Sequence, residues 1–260
     1  GIVNPFDGNQ IKIILSNKLK GNVFLADTIV RVLDAGDTWF LTLKGKVGDL
    51  SGIQVLSDKP ISIITANQLA TVPIGTQPSN YLVEMEMPAN TWGYVYHIPR
   101  LYTRTNNPII RIYANTPNSD IYLNNQLVTT LLSADNPDNF IEIRPNVVNP
   151  VGVDVVTSNK PISVSVFNAG YTEESNNLDV YKPFRINLLP FEQYENSLLF
   201  NISQNMIETM KTDVDLMIIC EVNDDGTIPN NLENGYTEKD KTITWTKINS
   251  MQIQDIKEYK

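Results

Sequence analysis

The sequence predicts an all-β protein built from tandem, duplicated β-sandwich domains, jelly-roll-like or immunoglobulin-like in type. Three observations predict it. The stretch Ser57-Asp58-Lys59-Pro60-Ile61-Ser62-Ile63 returns as Ser158-Asn159-Lys160-Pro161-Ile162-Ser163-Val164, a spacing of 161 − 60 = 101 residues. β-branched runs bounded by Asn, Asp, Gly and Pro recur along the chain, as strands joined by tight turns do. Charged residues make up only 19% of the chain. Asn, Thr and Ser take the polar positions instead, which suits exposed strand faces and turns.

The elements follow in order. Residues 1–9 read as a lead-in, and Ile11 to Leu15 as a first β-branched run. Asn22 to Leu25 and Thr28 to Leu33 form a hairpin around Ala26-Asp27. Asp34-Ala35-Gly36-Asp37 is a turn. Trp39, Leu41 and Leu43 then alternate with Phe40, Thr42 and Lys44, so one strand face is apolar. Gly52 to Leu56 and Ile61 to Thr65 are strands, and the polar, proline-closed turn between them reads as a hairpin connection. Residues 66–79 are loop-like. Tyr81 to Met87 and Thr91 to Ile98 give two further strands separated at Pro88.

The pattern then restarts. Ile109 to Asn115 lies over Ile11 to Asn17, and Asp120-Ile121-Tyr122-Leu123 over Asn22-Val23-Phe24-Leu25, at 121 − 23 = 98. Val128 to Leu131 answers Val30 to Leu33, and Phe140, Ile141 and Ile143 answer the Trp39 strand. Met87-Pro88 before Trp92 resembles Leu189-Pro190 before Tyr194. The units are placed at 1–104 and 105–202. A period near 100 residues means a domain pair rather than a solenoid. Residues 203–260 contain a core-type strand at Val214 to Val222, alternating runs at Thr242 to Ile248 and Met251 to Ile256, and one helical candidate, Gln204 to Lys211. This tail reads as a partial third unit, or as strands completing a sheet shared with another segment. The core positions expected from alternation are Phe24, Leu25, Trp39, Leu41, Val55, Ile61 and Ile63 in the first unit. In the second they are Ile121, Tyr122, Leu123, Ile141, Val155, Ile162 and Val164.

Composition bounds the function. The chain has 260 residues, 42% of them hydrophobic, enough for two ordinary cores. A formal net charge of −9 repels phosphate backbones and anionic lipid, so nucleic acid is not an expected partner. With one cysteine, Cys220, no intrachain disulfide can form. No apolar run approaches the ~18 residues of a membrane-spanning helix, so membrane insertion is not expected. The chain starts at Gly1 without a methionine, consistent with a removed leader or a fragment.

The ordered series "SDKPISI", "YLVEMEMP", "TWGYVYHIP", "RIYANTPNSDIYLNNQLVTTL", "SNKPISVSVFN" and "LLPFEQYENSLLF" resembles the IgGFc-binding protein N-terminal domain family over residues 50–202. That family is named from a mucin-associated animal protein and also occurs in bacterial extracellular and surface proteins. The resemblance implies an extracellular β-protein working in binding or adhesion, and it carries over no catalytic residue.

The residues themselves offer little chemistry. His97 is the only histidine, there is no Gly-x-Ser-x-Gly elbow for a serine nucleophile, and zinc sites need more Cys or His than the chain has. His97 reads as a surface or hairpin-edge residue and Cys220, within an apolar run, as a buried thiol. The pairs Asp213/Asp215, Asp224/Asp225 and Glu173/Glu174 are adjacent in sequence, which is not the separation across a cleft that glycoside hydrolysis requires. Asp135 and Asp138 carry hard oxygen ligands suited to calcium, the one cofactor considered, without EF-hand spacing. Trp92, Tyr94 and Tyr96 share a strand face; exposed, they would stack on a protein or glycan ligand, and buried, they would form half of a sandwich core, the reading preferred here. Asn201-Ile202-Ser203 fits a glycosylation sequon. These observations point to a non-enzymatic extracellular or cell-surface β-protein acting in adhesion, binding or structural assembly, with self-association expected. The alternatives are a structural component of a virion, capsid-associated or tail-like, and a carbohydrate-binding module.

Overall fold

The computed structural model describes residues 1–15, 28–43, 50–99, 107–132, 139–145, 153–170 and 182–195, together with Ile219 and Thr227. The chain divides into two compact bodies, residues 1–147 with 154–194, and residues 148–153 with 195–260. Only Val153, Glu195, Ile219 and Thr227 of the second body are described, so the expectations for the tail and for Phe24 and Leu25 lie outside the described residues. Among the described residues the first body is all-β, its strands paired antiparallel and interrupted by two short 3-10 turns.

The first repeat supplies β1 (Ile2–Val3), β2 (Asn9–Ile14), β3 (Thr28–Leu33), β4 (Thr38–Trp39), β5 (Gln54–Ser57), β6 (Ser62–Ala70), β7 (Asn80–Met85) and β8 (Gly93–Ile98), with a 3-10 turn at Ala89–Thr91. Among the described residues β4-β1-β6-β7 form one sheet and β3-β2-β5 another. In β2, Ile11 and Ile13 are buried while Gln10 and Lys12 are exposed, the period-two pattern of a half-buried strand. Ile2, Ile11, Ile13, Leu15, Leu33 and Trp39 form the core between the sheets, with Leu41, Leu43, Val55, Ile61 and Ile63 packed against it. Phe40 is exposed, as the alternation from Trp39 requires.

The second repeat supplies β9 (Ile109–Ala114), β10 (Ser119–Leu123), β11 (Gln126–Leu131), β12 (Phe140–Ile143), β13 (Asp154–Asn168) and β14 (Phe184–Asn187), then a 3-10 turn at Phe191–Gln193. Here the 15-residue β13 joins what are two sheets in the first repeat. Its first half pairs with β10 and its second half with β9 and β14. Ile110, Ile112, Ile121, Val156, Ile162, Val164 and Val166 are fully buried there. Each contributes roughly 1.5–3 kcal/mol of burial against the conformational entropy of folding. Val156, not Val155, takes the inward position on β13, while Tyr122, Leu123 and Ile141 are only partly covered.

The two segments share ladder registers, at offsets that differ from the alignment drawn from sequence. Ile2 pairs with both Trp39 and Ile63, and Ile112 with both Ile141 and Val164. Ile11 pairs with Arg31 and Ser57, and Ile121 with Thr129 and Ser158. Thus β1 corresponds to β9 and β2 to β10, at 112 − 2 = 110 and 121 − 11 = 110. The expected match of Ile109–Asn115 to Ile11–Asn17 at 98 sets strands from different sheets side by side. The left-handed residue of the intervening turn agrees with 110, since Gly8 and Asn118 both have φ 58°. β3 and β11 keep the expected offset, Leu131 standing for Leu33 at 98. Most of the difference of 12 arises in one connection. Residues 15–27 separate β2 from β3, whereas Asn124 and Asn125 alone join β10 to β11, with φ values of 49° and 64° as a two-residue type I′ turn requires. The segment read as a lead-in therefore contains β1.

The recurring Lys-Pro motif is not a hairpin turn. β5 and β6 lie in different sheets, and β13 runs through Lys160-Pro161 without reversing. The motif is the place where the chain crosses between sheets. Proline lacks the N–H that a ladder needs, so Pro161 sits in a bulge where pairing with β8 skips from Thr157 to Ile162. The lysine fastens the crossing to the turn between the first two strands of its repeat. Lys59 Nζ donates to the carbonyl of Asp7 at 2.6 Å, and Lys160 Nζ to the carbonyl of Pro117.

A polar clasp joins the two repeats where β7 and β14 lie side by side. Arg185 reaches both carboxylate oxygens of Glu86, at 2.7 and 3.0 Å, and also bonds Thr65 Oγ1, Ser165 Oγ and Asn187 Oδ1. Asn187 Nδ2 donates to the Met85 carbonyl at 2.8 Å, and Asn80 Nδ2 to that of Pro183 at 2.9 Å. Planar guanidinium is suited to this bidentate geometry. Burial pushes the nearby Glu84 carboxyl above its ordinary range, with Arg185 acting in the opposite direction.

Candidate functional site

The aromatic strand singled out from sequence, β8, leaves its own repeat. It pairs antiparallel with β13 of the second repeat, with Ile98 opposite Asp154, His97 opposite Val155, Tyr96 opposite Val156 and Val95 opposite Thr157. Val95, Tyr96 and Ile98 are buried, and Tyr96 and Ile98 belong to the second repeat's core. A strand from one repeat thus completes the sheet of the next.

Several contacts lock it there. The Tyr96 hydroxyl donates to the Ile162 carbonyl at 2.5 Å and accepts the Gly93 N–H at 3.2 Å. Burial pushes this phenol up to about 12, so it stays protonated and able to donate. Gly93 rests against the 3-10 turn after β14, where a Cβ would lie 2.3 Å from Pro190 Cβ and 2.5 Å from Glu192 Oε2, so no side chain fits. Glu192 Oε1 accepts the Tyr94 N–H at 3.0 Å, and Gln193 Nε2 donates to the Thr91 carbonyl.

His97 faces the other side of β8, half-buried in an aromatic pocket. Its ring meets Phe191 edge-on at 5.7 Å and lies 5.9 Å from Tyr194, and these two rings are 5.4 Å apart. Nδ1 is 3.3 Å from the Tyr194 hydroxyl. Burial lowers the imidazole pKa and raises that of Tyr194, so both are neutral at pH 7. The histidine's partner is a phenol rather than a serine, threonine or cysteine, and this arrangement packs rather than activates.

Of the three aromatics read as one face, Tyr96 is fully buried, whereas Trp92 and Tyr94 are half-buried. The Trp92 indole donates to the Met87 carbonyl at 3.3 Å. Asp135 and Asp138 lie outside the described residues, as do Cys220, the three carboxylate pairs and the Asn201-Ile202-Ser203 triplet. Among the described residues no group of three or more His, Cys, Asp or Glu side chains is placed to hold a metal. No helix among them is long and apolar enough to cross a membrane. The residues that sequence reasoning missed are Gly93, Pro190 and Glu192. A glycine set among aromatics in a strand was the available signal, because it marks close backbone approach.

No match was found among curated proteins or among solved structures. The family model described as IgGFc binding protein matches residues 1–257, so it spans both repeats and most of the tail. The chain belongs to the IgGFc-binding protein family.

Proposed function

We propose that this chain is a non-enzymatic, extracellular or surface protein that binds other proteins, working in adhesion or structural assembly through self-association. Family membership over residues 1–257 supports the protein-binding part of this reading. The observation that carries the assembly part is the passage of β8 into the second repeat, because a fold that completes its sheets with transferred strands has the means to join copies of itself. Exposed sheet edges are the natural place for such contacts. His97 in its aromatic pocket offers packing in place of acid–base chemistry. Sedimentation velocity across a wide concentration range, with immobilised immunoglobulin Fc as a separate binding probe, tests the reading. Concentration-dependent association, or saturable binding to Fc, is the expected result. A chain that is monomeric throughout and leaves Fc unbound would overturn it.

A further inference from the structure

The two repeats present one corresponding sheet face in two different states. β1 corresponds to β9 at an offset of 110, and β6 to the second half of β13 at 101. Ile64 lies opposite Met85 and Ser165 opposite Asn187, so β7 corresponds to β14 at 187 − 85 = 102. Ile63 and Val164 turn toward their cores, so Ile64 and Ser165 turn away from them. On the second repeat this outer face is an interface, and Ser165 is 0% exposed there. Arg185 and Asn187, at the positions of Val83 and Met85, bond Glu86 and the Met85 carbonyl of the first repeat. Arg111, at the position of Gly1, donates to Ser51 Oγ at 2.7 Å.

On the first repeat the same face is apolar and meets solvent. Met85 is 61% exposed and Tyr81 53%, and Val3, Ile64 and Val83 are exposed beside them. Phe40, 73% exposed, extends the face past β1, because its ring lies where a Gly1 side chain would point, with Cε1 2.9 Å from the Cβ position. These side chains spread across β4-β1-β6-β7, neighbours in one sheet. None of them is charged, in a chain whose net charge is −9. Together they expose on the order of several hundred Å² of apolar surface, the size at which a patch marks an interaction site, against the ~800 Å² that each partner gives a standard interface.

We infer that this face is the contact between two copies of the chain, sheet against sheet about a two-fold axis. It names the surface for the assembly reading above, a sheet face rather than a sheet edge, and rests on that reading. Charge favours a second copy as the occupant. Two acidic chains repel wherever their carboxylates meet, and here each offers the other a patch without charge. An apolar sheet face is complementary to itself, and stacking at the ~10 Å spacing of a sandwich covers both patches at once. A two-fold contact uses the same patch on each copy and closes at the dimer. The second repeat does not offer this contact, because its corresponding face is polar and packed on the first repeat.

The test is sedimentation velocity of the full chain over a wide concentration range. The parent should form dimers. Val83→Glu should raise the dissociation constant roughly a hundredfold or more, because pairing would bury a carboxylate without a partner. Val32→Glu places the same charge at an exposed position on β3, in the other sheet, and should leave dimerisation unchanged. Mixing Val83→Glu with Val83→Lys should restore dimers that neither variant forms alone, as a face that meets itself requires. Association of the parent that Val83→Glu leaves intact, or that the mixture fails to restore, would overturn the inference and leave the assembly reading standing. A parent that sediments as a monomer at every concentration would remove self-association itself. A fall in the melting temperature of that monomer with Val83→Glu would then show the face covered by the chain's own residues, which equally overturns the inference.

Discussion

Replacing Tyr96 with phenylalanine removes one oxygen from the seam between the repeats and leaves the ring in place. That oxygen serves two main-chain groups, accepting the Gly93 N–H at 3.2 Å and donating to the Ile162 carbonyl at 2.5 Å. Both residues are buried, so water does not replace the lost partner freely. An unsatisfied buried group costs about 1–3 kcal/mol. The ring's apolar burial is unchanged, and the carbonyl retains its second lone pair. The expected loss is thus about 2–4 kcal/mol for the two groups together. For a body of this size each kcal/mol lowers the melting temperature by roughly 2–4 °C, so a fall of roughly 5–15 °C should follow. Urea denaturation should show a lower midpoint with an unchanged slope. Tyr94→Phe is the control, because Tyr94 serves the seam through its main-chain N–H, which phenylalanine keeps. A Tyr96→Phe stability within about 0.5 kcal/mol of the parent, the size of ordinary surface effects, would refute the idea that this hydroxyl closes the seam.

Other outcomes are expected from the same structure. Gly93→Ala forces the Pro190 ring and Glu192 aside and should cost about 1–3 kcal/mol by overpacking, measured by the same urea titration. Arg185→Met strips Glu86 of its bidentate partner in the clasp and should destabilise by roughly 2–4 kcal/mol, short of the full cost of a buried charge because the Glu86 side chain is 29% exposed. His97 predicts a pH dependence. Its imidazole binds a proton at lower pH in the fold than in the unfolded chain, where it titrates near 6.5. The stability linked to its neutral form is intact above 6.5 and declines as pH falls below that value. His97→Gln should remove this component of the slope, read as thermal midpoints at pH 7.5 and 5.5. It is the only histidine in the chain, so an identical slope in parent and variant would contradict the buried-ring account.

The fold class was legible because it rests on period-two alternation, and β2 and the Trp39 face obey it residue by residue. The Lys-Pro repeat was legible for the same reason that it exists, since each lysine ties the sheet crossing to its neighbouring turn. The register of the first strands was not. One β-branched run resembles the next, so Ile109–Asn115 fits Ile11–Asn17 by composition although it corresponds to the β1 region. The deciding features were small, a left-handed Gly8 matched by Asn118 and a 13-residue connection matched by Asn124-Asn125. The crossing was mistaken for a hairpin because a proline-closed polar turn between strands looks alike whether the chain reverses or changes sheet. The destination of β8 was hidden altogether. A strand's sequence specifies which of its faces is apolar, but the partner edge is set by main-chain groups that every residue carries. Tyr96 was correctly suspected of core burial, yet the core it enters is that of the neighbouring repeat.

Passage of β8 into the neighbouring sheet is tested most directly by amide hydrogen exchange at Val156 and Ser158, compared between the parent chain and Tyr96→Phe. In the parent, both amides should be strongly protected, because β8 covers their edge. Tyr96→Phe removes the hydroxyl that fastens β8 to the Ile162 carbonyl and should speed exchange at both. Exchange at Val156 and Ser158 in the parent chain as fast as in an unfolded chain would contradict the account.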